Sequence, residues 1–181
     1  RAAAIRFAEE DARVFCADLN LEGARAVVAE IGDAAGAIQV DVASFASNQA
    51  MVQAVIDAAG RLDVAFLNAG FYGAADGLAT VDEDLFDRLV AINLKGVFNG
   101  IKAVEPAIAH GGAVVVTPSA AGVIGHPGNP AYSAAKHGAV GLVKSCVDAF
   151  AARGARINAI CPGGVETPLV GAPDVAMEPS S

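Results

Sequence analysis

The chain has 181 residues, 54% of them hydrophobic and 18% charged, with a formal net charge of −8. That length suits one domain with a real core, and so apolar a composition excludes a disordered chain. The acidic balance argues against nucleic-acid binding, which needs a basic footprint for phosphate.

The chain opens on Arg1, and residues 1–7 show helical spacing with no capping residue ahead of them. The start therefore reads as a cut. Short apolar runs at 13–17, 37–40, 64–67, 113–117 and 156–160 predict strands buried on both faces, as in a parallel sheet. Helix-period segments at 21–31, 47–59, 83–109 and 131–153 lie between and after them. The alternation predicts an α/β fold, a doubly wound parallel sheet with helices on both faces. The 41 alanines suit helices layered on a sheet. No composition shift divides the chain, so residues 1–181 read as one domain.

Residues 106–135 contain no Asp, Glu, Lys or Arg, which is long enough to raise a membrane span. Gly111, Gly112, Pro118, Gly122, Gly125, Pro127 and Pro130 interrupt the stretch, so it reads as a buried strand and a site-forming loop, with no membrane implied. No signal peptide is visible. Cys16, Cys146 and Cys161 form no CxxC pair and read as small buried hydrophobes in a reducing compartment, hence a cytoplasmic chain. His110, His126 and His137 are too scattered for a metal set. His137 reads as surface, while His126 lies in the loop before Tyr132 and is a candidate substrate contact. Asp82-Glu83-Asp84 reads as a solvated first helical turn.

In such sheets, ligands sit beyond the carboxyl ends of the strands. Those ends carry Asp18, Asp41, Asn68-Ala69-Gly70, Ser119 and Pro162-Gly163. Tyr132 and Lys136 stand one helical turn apart on one face. A phenol is a poor base at neutral pH, and a nearby ammonium lowers its pKa towards a useful value. Taken alone, the pair also fits a surface lysine lying on a helix tyrosine. Ser119, thirteen residues before Tyr132, ends an apolar strand and can offer a hydroxyl to a substrate oxygen, or be an ordinary turn serine. Asn93 sits inside an apolar helix period and must find partners there. It either bridges a water towards Lys136 or braces the helix.

The ordered set Asp18, Asp41, Asn68-Ala69-Gly70, Asn93, Ser119, Tyr132-x-x-x-Lys136 and Pro162-Gly163-Gly164-Val165-Glu166-Thr167 resembles the short-chain dehydrogenase/reductase family, in its shorter single-domain subtype. The resemblance implies a Rossmann fold and an oxidoreductase moving a hydride between a nicotinamide cofactor and a small-molecule alcohol or ketone. It implies that Tyr132 is the general acid/base and that Lys136 lowers its pKa and holds the nicotinamide ribose. Ser119 would orient the reacting oxygen, and Asn93 would hold a water that relays protons towards Lys136. Asp18 would accept the adenosine-ribose hydroxyls and repel a 2′-phosphate, favouring NAD over NADP. Asp41 with Val42 resembles the adenine contact. Asn68, Ala69 and Gly70 resemble the stretch passing close under the cofactor. Pro162, Gly163 and Thr167 resemble the nicotinamide-holding segment, with Val165 a backbone contact.

Leu67 and Pro118 depart from the family pattern, which often has Asn and Ser there. No GxxxGxG occurs in the 181 residues. The first strand and Gly-rich loop are expected before Arg1, and a last strand and lid after residue 181, so the domain reads as incomplete at both ends. The 181-residue chain by itself is then expected to bind NADH weakly. Two other readings stand beside the first: an NAD-dependent epimerase or dehydratase using the same Tyr/Lys pair, and a non-catalytic truncated fragment. The resemblance also implies a homodimer or homotetramer, paired through the helices at 83–109 and 131–153.

Overall fold

A computed structural model of the chain describes residues 1–165. Its strands are β1 (Val14–Asp18), β2 (Ala35–Gln39), β3 (Leu62–Leu67), β4 (Ile108–Val116) and β5 (Arg156–Ala159). Its helices are α1 (Ala2–Glu9), α2 (Leu21–Ile31), α3 (Phe45–Ala59), α4 (Glu83–Val90), α5 (Gly96–Val104), α6 (Pro130–Ser145) and α7 (Val147–Ala152). Every predicted strand is present, and all strand pairs are parallel. The α/β architecture therefore stands.

The sheet is divided as expected of a doubly wound one without its first strand. Among the described residues it comes as two sheets, β1-β2 and β3-β4-β5. β1 and β3 are both edges, each hydrogen-bonded to a neighbour on one side only. On β3 this leaves Val64 and Phe66 at 46% and 37% exposure. α1 and α2 pack on each other and on the two-stranded sheet, while α3 lies against α5 and α5 against α6.

Local chemistry sets most helix ends. The Asn20, Ser44 and Asp82 side chains accept the first free N–H groups of α2, α3 and α4. The acidic run at 82–84 is thus a cap followed by the first turn. Gly60 ends α3 in the left-handed region, at φ 75°.

The two long predicted helices are both broken. The segment at 83–109 is α4, a π-helical turn (Ala91–Lys95) and α5, which stops at Val104. Pro106 lacks an N–H and cannot continue the helix. β4 then begins at Ile108, inside the span predicted as helix. The segment at 131–153 starts earlier, at Pro130, and divides at Cys146 into α6 and α7. The cysteines are free and half-buried rather than fully buried.

The main core lies on the three-stranded side. Val114, Val116, Val104, Ala139 and Phe150 are its least exposed members. Each fully buried aliphatic or aromatic side chain there stabilises by about 1.5–3 kcal/mol. In the two-stranded part no residue of β1 or β2 is fully buried.

Candidate active site

Four predicted residues converge beyond the carboxyl ends of β3 and β4. Tyr132 and Lys136 project from the first two turns of α6. Asn129 caps that helix, its Oδ1 accepting the Tyr132 N–H at 3.0 Å, and Pro130 follows at the first helical position. Lys136 is 3% exposed, which removes the alternative of a surface lysine. Its Nζ lies 5.4 Å from the Tyr132 ring centroid and donates to the Thr117 carbonyl at 3.3 Å. Thr117 Oγ1 is the one buried side-chain polar atom without a partner among the described residues.

Ser119 follows β4 and caps a 3₁₀ turn at Ala120–Gly122, its Oγ accepting from Ala121 N at 3.1 Å. Its side chain also acts on Tyr132, drawing the phenol's pKa down. Pro118 before it is buried and brings no N–H to the turn. The turn lies tightly on α6: a Cβ at Gly122 would stand 2.7 Å from the Lys136 carbonyl oxygen. Ser133 ties the same layers, its Oγ donating to Ala121 O at 2.8 Å. Ala120 N donates to Pro162 O at 2.7 Å, which joins the Ser119 loop to the segment after β5.

Asn93 is fully buried in the π turn. Its Oδ1 accepts Phe71 N at 3.0 Å, and its Nδ2 donates to Phe71 O at 2.7 Å and Leu89 O at 3.1 Å. Its side chain therefore braces the loop after β3 as well as its own helix. That loop passes directly over Lys136. A Cβ on Gly70 would lie 3.3 Å from Asn93 Oδ1 and 3.4 Å from Lys136 Nζ. A side chain at position 70 would fill the approach to the ammonium.

The electrostatics differ from the sequence expectation. Burial pushes the Tyr132 phenol up, the Ser119 hydrogen bond pulls it down, and the neighbouring Tyr72 pushes it up again. Burial brings Lys136 down to about 8, against a smaller opposing effect from Cys161.

The remaining predicted residues divide between a cleft and the surface. A cleft of about 80 Å³ separates the two sheets. Ala17, Val40 and Val42 line it on one side, and Phe66, Leu67, Asn68 and Ala69 on the other. The Val42 carbonyl is held by Asn48 and Asn99, at 3.0 and 2.9 Å. Asp18 and Asp41 are exposed, each with one carboxylate oxygen on a backbone N–H two residues on, at Asn20 and Ala43. Pro162 is half-buried; Gly163 and Val165 are exposed. Thr167 lies outside the described residues.

Sequence reasoning missed Asn129, Asn48 and Asn99. The Asn129-Pro130 pair carries the signal of a helix start. Nothing in the local pattern marks Asn99. His126, a candidate contact, does reach the site: its Nε2 is 2.7 Å from the Tyr72 hydroxyl. His137 is exposed, as predicted. No described helix is long and apolar enough to cross a membrane. No group of three or more His, Cys, Asp or Glu among the described residues could hold a metal ion.

A family model described as short chain dehydrogenase matches residues 1–175. Cyclohexanol dehydrogenase of an Acinetobacter species is 37% identical over 94% of this chain and 70% of its own length. Levodione reductase of Leifsonia aquatica is 37% identical over 94% of this chain and 66% of its own length. For a 3beta-hydroxysteroid dehydrogenase of Mediterraneibacter gnavus the values are 36%, 93% and 63%. The chain thus spans about two thirds of these relatives. A solved 3-ketoacyl-(acyl-carrier-protein) reductase from Brucella melitensis, complexed with NADH, superposes with a TM-score of 0.88. It is 29% identical, with 92% of this chain and 72% of that one covered.

Proposed function

Because the chain belongs to the short-chain dehydrogenase family, whose members are nicotinamide-dependent oxidoreductases of alcohols and ketones, we propose that Tyr132 is its proton-transfer residue. Ser119, Lys136 and Asn93 serve that residue. The carrying observation is the buried lysine: an ammonium 3% exposed, beside a phenol and with one carbonyl as acceptor, is costly unless a ligand completes it. The orphaned Thr117 hydroxyl is in the same place. Both suit a hydroxyl-bearing group such as the ribose of a nicotinamide nucleotide.

A bound nicotinamide cofactor supplies or takes up the hydride at the carbinol carbon. The chain's own residues handle the proton and the geometry. Ser119 Oγ, tied to Ala121 N, orients the reacting oxygen against the Tyr132 hydroxyl. Tyr132 donates its proton to that oxygen in ketone reduction and accepts one in alcohol oxidation. Its raised pKa favours the donating form at neutral pH, so alcohol oxidation should speed up as pH rises. Lys136 donates to ribose hydroxyls and holds positive charge near the phenolate. Asn93 keeps Gly70 bare and close above that ammonium.

The cofactor reading extends to Asp41 and Val42 at the adenine, Asn68, Ala69 and Gly70 beneath the dinucleotide, and Pro162, Gly163, Val165 and Thr167 at the nicotinamide. It extends also to NAD in preference to NADP, supported by the exposed Asp18 carboxylate at the end of β1. A single domain is part of the same reading. So is a cytoplasmic setting, supported by three free thiols. So is pairing of copies through the α4–α5 and α6–α7 helices, supported by the exposed Phe86, Phe98 and Val147 on them.

Tyr132→Phe in the full-length protein tests the central claim. Turnover should fall by about 10²–10⁴-fold, the usual range for a lost acid/base group, with NADH affinity retained. Unchanged accumulation of NADH from an alcohol would sink it.

A further inference from the structure

Proton transfer needs Tyr132, its serine and its lysine. It does not require the two rings that stand beside the tyrosine. Tyr72 meets the Tyr132 ring edge-on, with centroids 5.0 Å and planes 67° apart. His126 stands at 79° to the Tyr132 ring, 6.5 Å away. Tyr72 and His126 are inclined by only 34° to each other, at 5.8 Å, and are joined by the 2.7 Å contact of hydroxyl and Nε2. The pair forms one wall, set steeply against the ring of Tyr132.

The wall is held from behind. Asn129 Nδ2 donates to Tyr72 O at 2.7 Å while its Oδ1 caps the helix at Tyr132. Asn129 N donates to His126 O at 3.1 Å. Asn93 grips both polar backbone atoms of Phe71. Both wall residues are thus tied through buried amides to the turn that carries Tyr132, so little ordering is left for a ligand to impose. Both are half-buried and keep accessible surface. Next to Tyr72 lies a shallow basin of about 370 Å³, lined also by Gly73, Ala74, Ala75, Asp76 and Thr80. Asp76 is the one ionisable group of those five, and such a lining suits a neutral, compact ligand.

We propose that Tyr72 and His126 are specificity-determining residues that select substrates whose reacting carbon belongs to a ring. This rests on the reading of Tyr132 as the acid/base. A compact ring laid on the wall presents its carbinol edge towards Tyr132. An open chain of equal carbon count covers the wall only by freezing several bonds.

The test compares kcat/KM for cyclohexanol and 2-hexanol. The protein should prefer cyclohexanol by about tenfold, as expected for one good ring contact with fewer bonds to freeze. Tyr72→Leu and His126→Leu should each cut that ratio at least about threefold. An unchanged ratio in both variants, including one produced by an equal fall on both alcohols, overturns the inference. Tyr72→Phe keeps the ring and should keep more of the ratio than Tyr72→Leu, and the reverse order also overturns it.

A binding measurement stands apart from turnover. The chain has no Trp and two Tyr, so in Tyr132→Phe all tyrosine emission comes from Tyr72. Cyclohexanone should change that emission at a lower concentration than 2-hexanone. Equal concentrations, or no response to either, overturn the wall. A cyclohexanone-selective response from a protein that oxidises neither alcohol would instead strike the proton-transfer reading.

Discussion

The three-stranded side and the two-stranded side of the molecule are built to different standards. β4 alternates buried and half-buried residues along its second half, backed by α5, α6 and α7. β1 has no fully buried residue and ends on an exposed aspartate. The proposed acid/base residue Tyr132 stands on the first side, where the buried Asn129 amide fixes its turn and Asn93 the facing loop. Asp18 and Asp41, proposed to grip the adenosine end, stand on the second, held by short side-chain turns. Proton transfer tolerates errors of a fraction of an ångström, whereas a carboxylate facing ribose hydroxyls tolerates more. The looser packing of the second side goes with its pairing, since β1 is hydrogen-bonded to a neighbour on one side only.

Phe150→Ala against Phe15→Ala tests it most strongly. Phe150 is 0% exposed in the main core, and its loss should cost about 3–5 kcal/mol. Phe15 is half-buried in β1, and its loss should cost less than about 2 kcal/mol. Denaturant unfolding measures both; equal losses would erase the contrast.

Lys136→Met probes the well-packed side from within. A buried lysine lowered from 10.5 to about 8 is destabilising wherever the folded chain must hold it charged. The unfolded chain binds the proton more tightly, so stability rises with pH between those two values. The methionine variant should therefore be more stable by about 3 kcal/mol below pH 8. That gain should fade towards pH 10.5, while activity is lost. Thermal melts at pH 6.5 and pH 9.5 would read the sign, and a destabilised variant at pH 6.5 would break the account.

Asp18→Ala addresses the loosely packed side. It should lower the NAD-to-NADP ratio of kcat/KM by about tenfold, or ~1.4 kcal/mol, with little change in stability. An unmoved ratio would remove Asp18 from cofactor choice. Asn129→Ala has the smallest expected effect, about 1 kcal/mol of stability for a lost cap. It should also release Tyr72 and lower the preference for cyclohexanol over 2-hexanol, which a cap serving stability alone would not do.

The sequence announced the strands because their apolar runs are short and dense in β-branched residues. It announced the site because strand ends carried Asn68, Ser119 and Pro162, and because Tyr132 and Lys136 share a helix face. What it hid depends on contacts distant in the chain. The grip of Asn93 on Phe71 spans 22 residues, and that of Asn129 on Tyr72 spans 57. The pKa balance at Tyr132 could not be read either, since burial, not lysine spacing, contributes most. The helix breaks were half visible: Pro106 announces one, whereas nothing local announces the π turn.

That turn sets the rotational phase of everything after it. A π turn takes in about one residue more than an α turn, and one residue corresponds to about 100° around a helix axis. α4 faces α6 while α5 turns chiefly to α3, with lesser contacts to α6 and β3, so one near-continuous rod serves neighbours in different directions. Asn93 sits where the phase changes, which is why its amide reaches sideways to Phe71. Deletion of one residue between 91 and 95 would restore a regular α-helix and keep the later side chains of α5 near their present azimuth, whereas closing the turn to α geometry at its full length would swing them by about 100°.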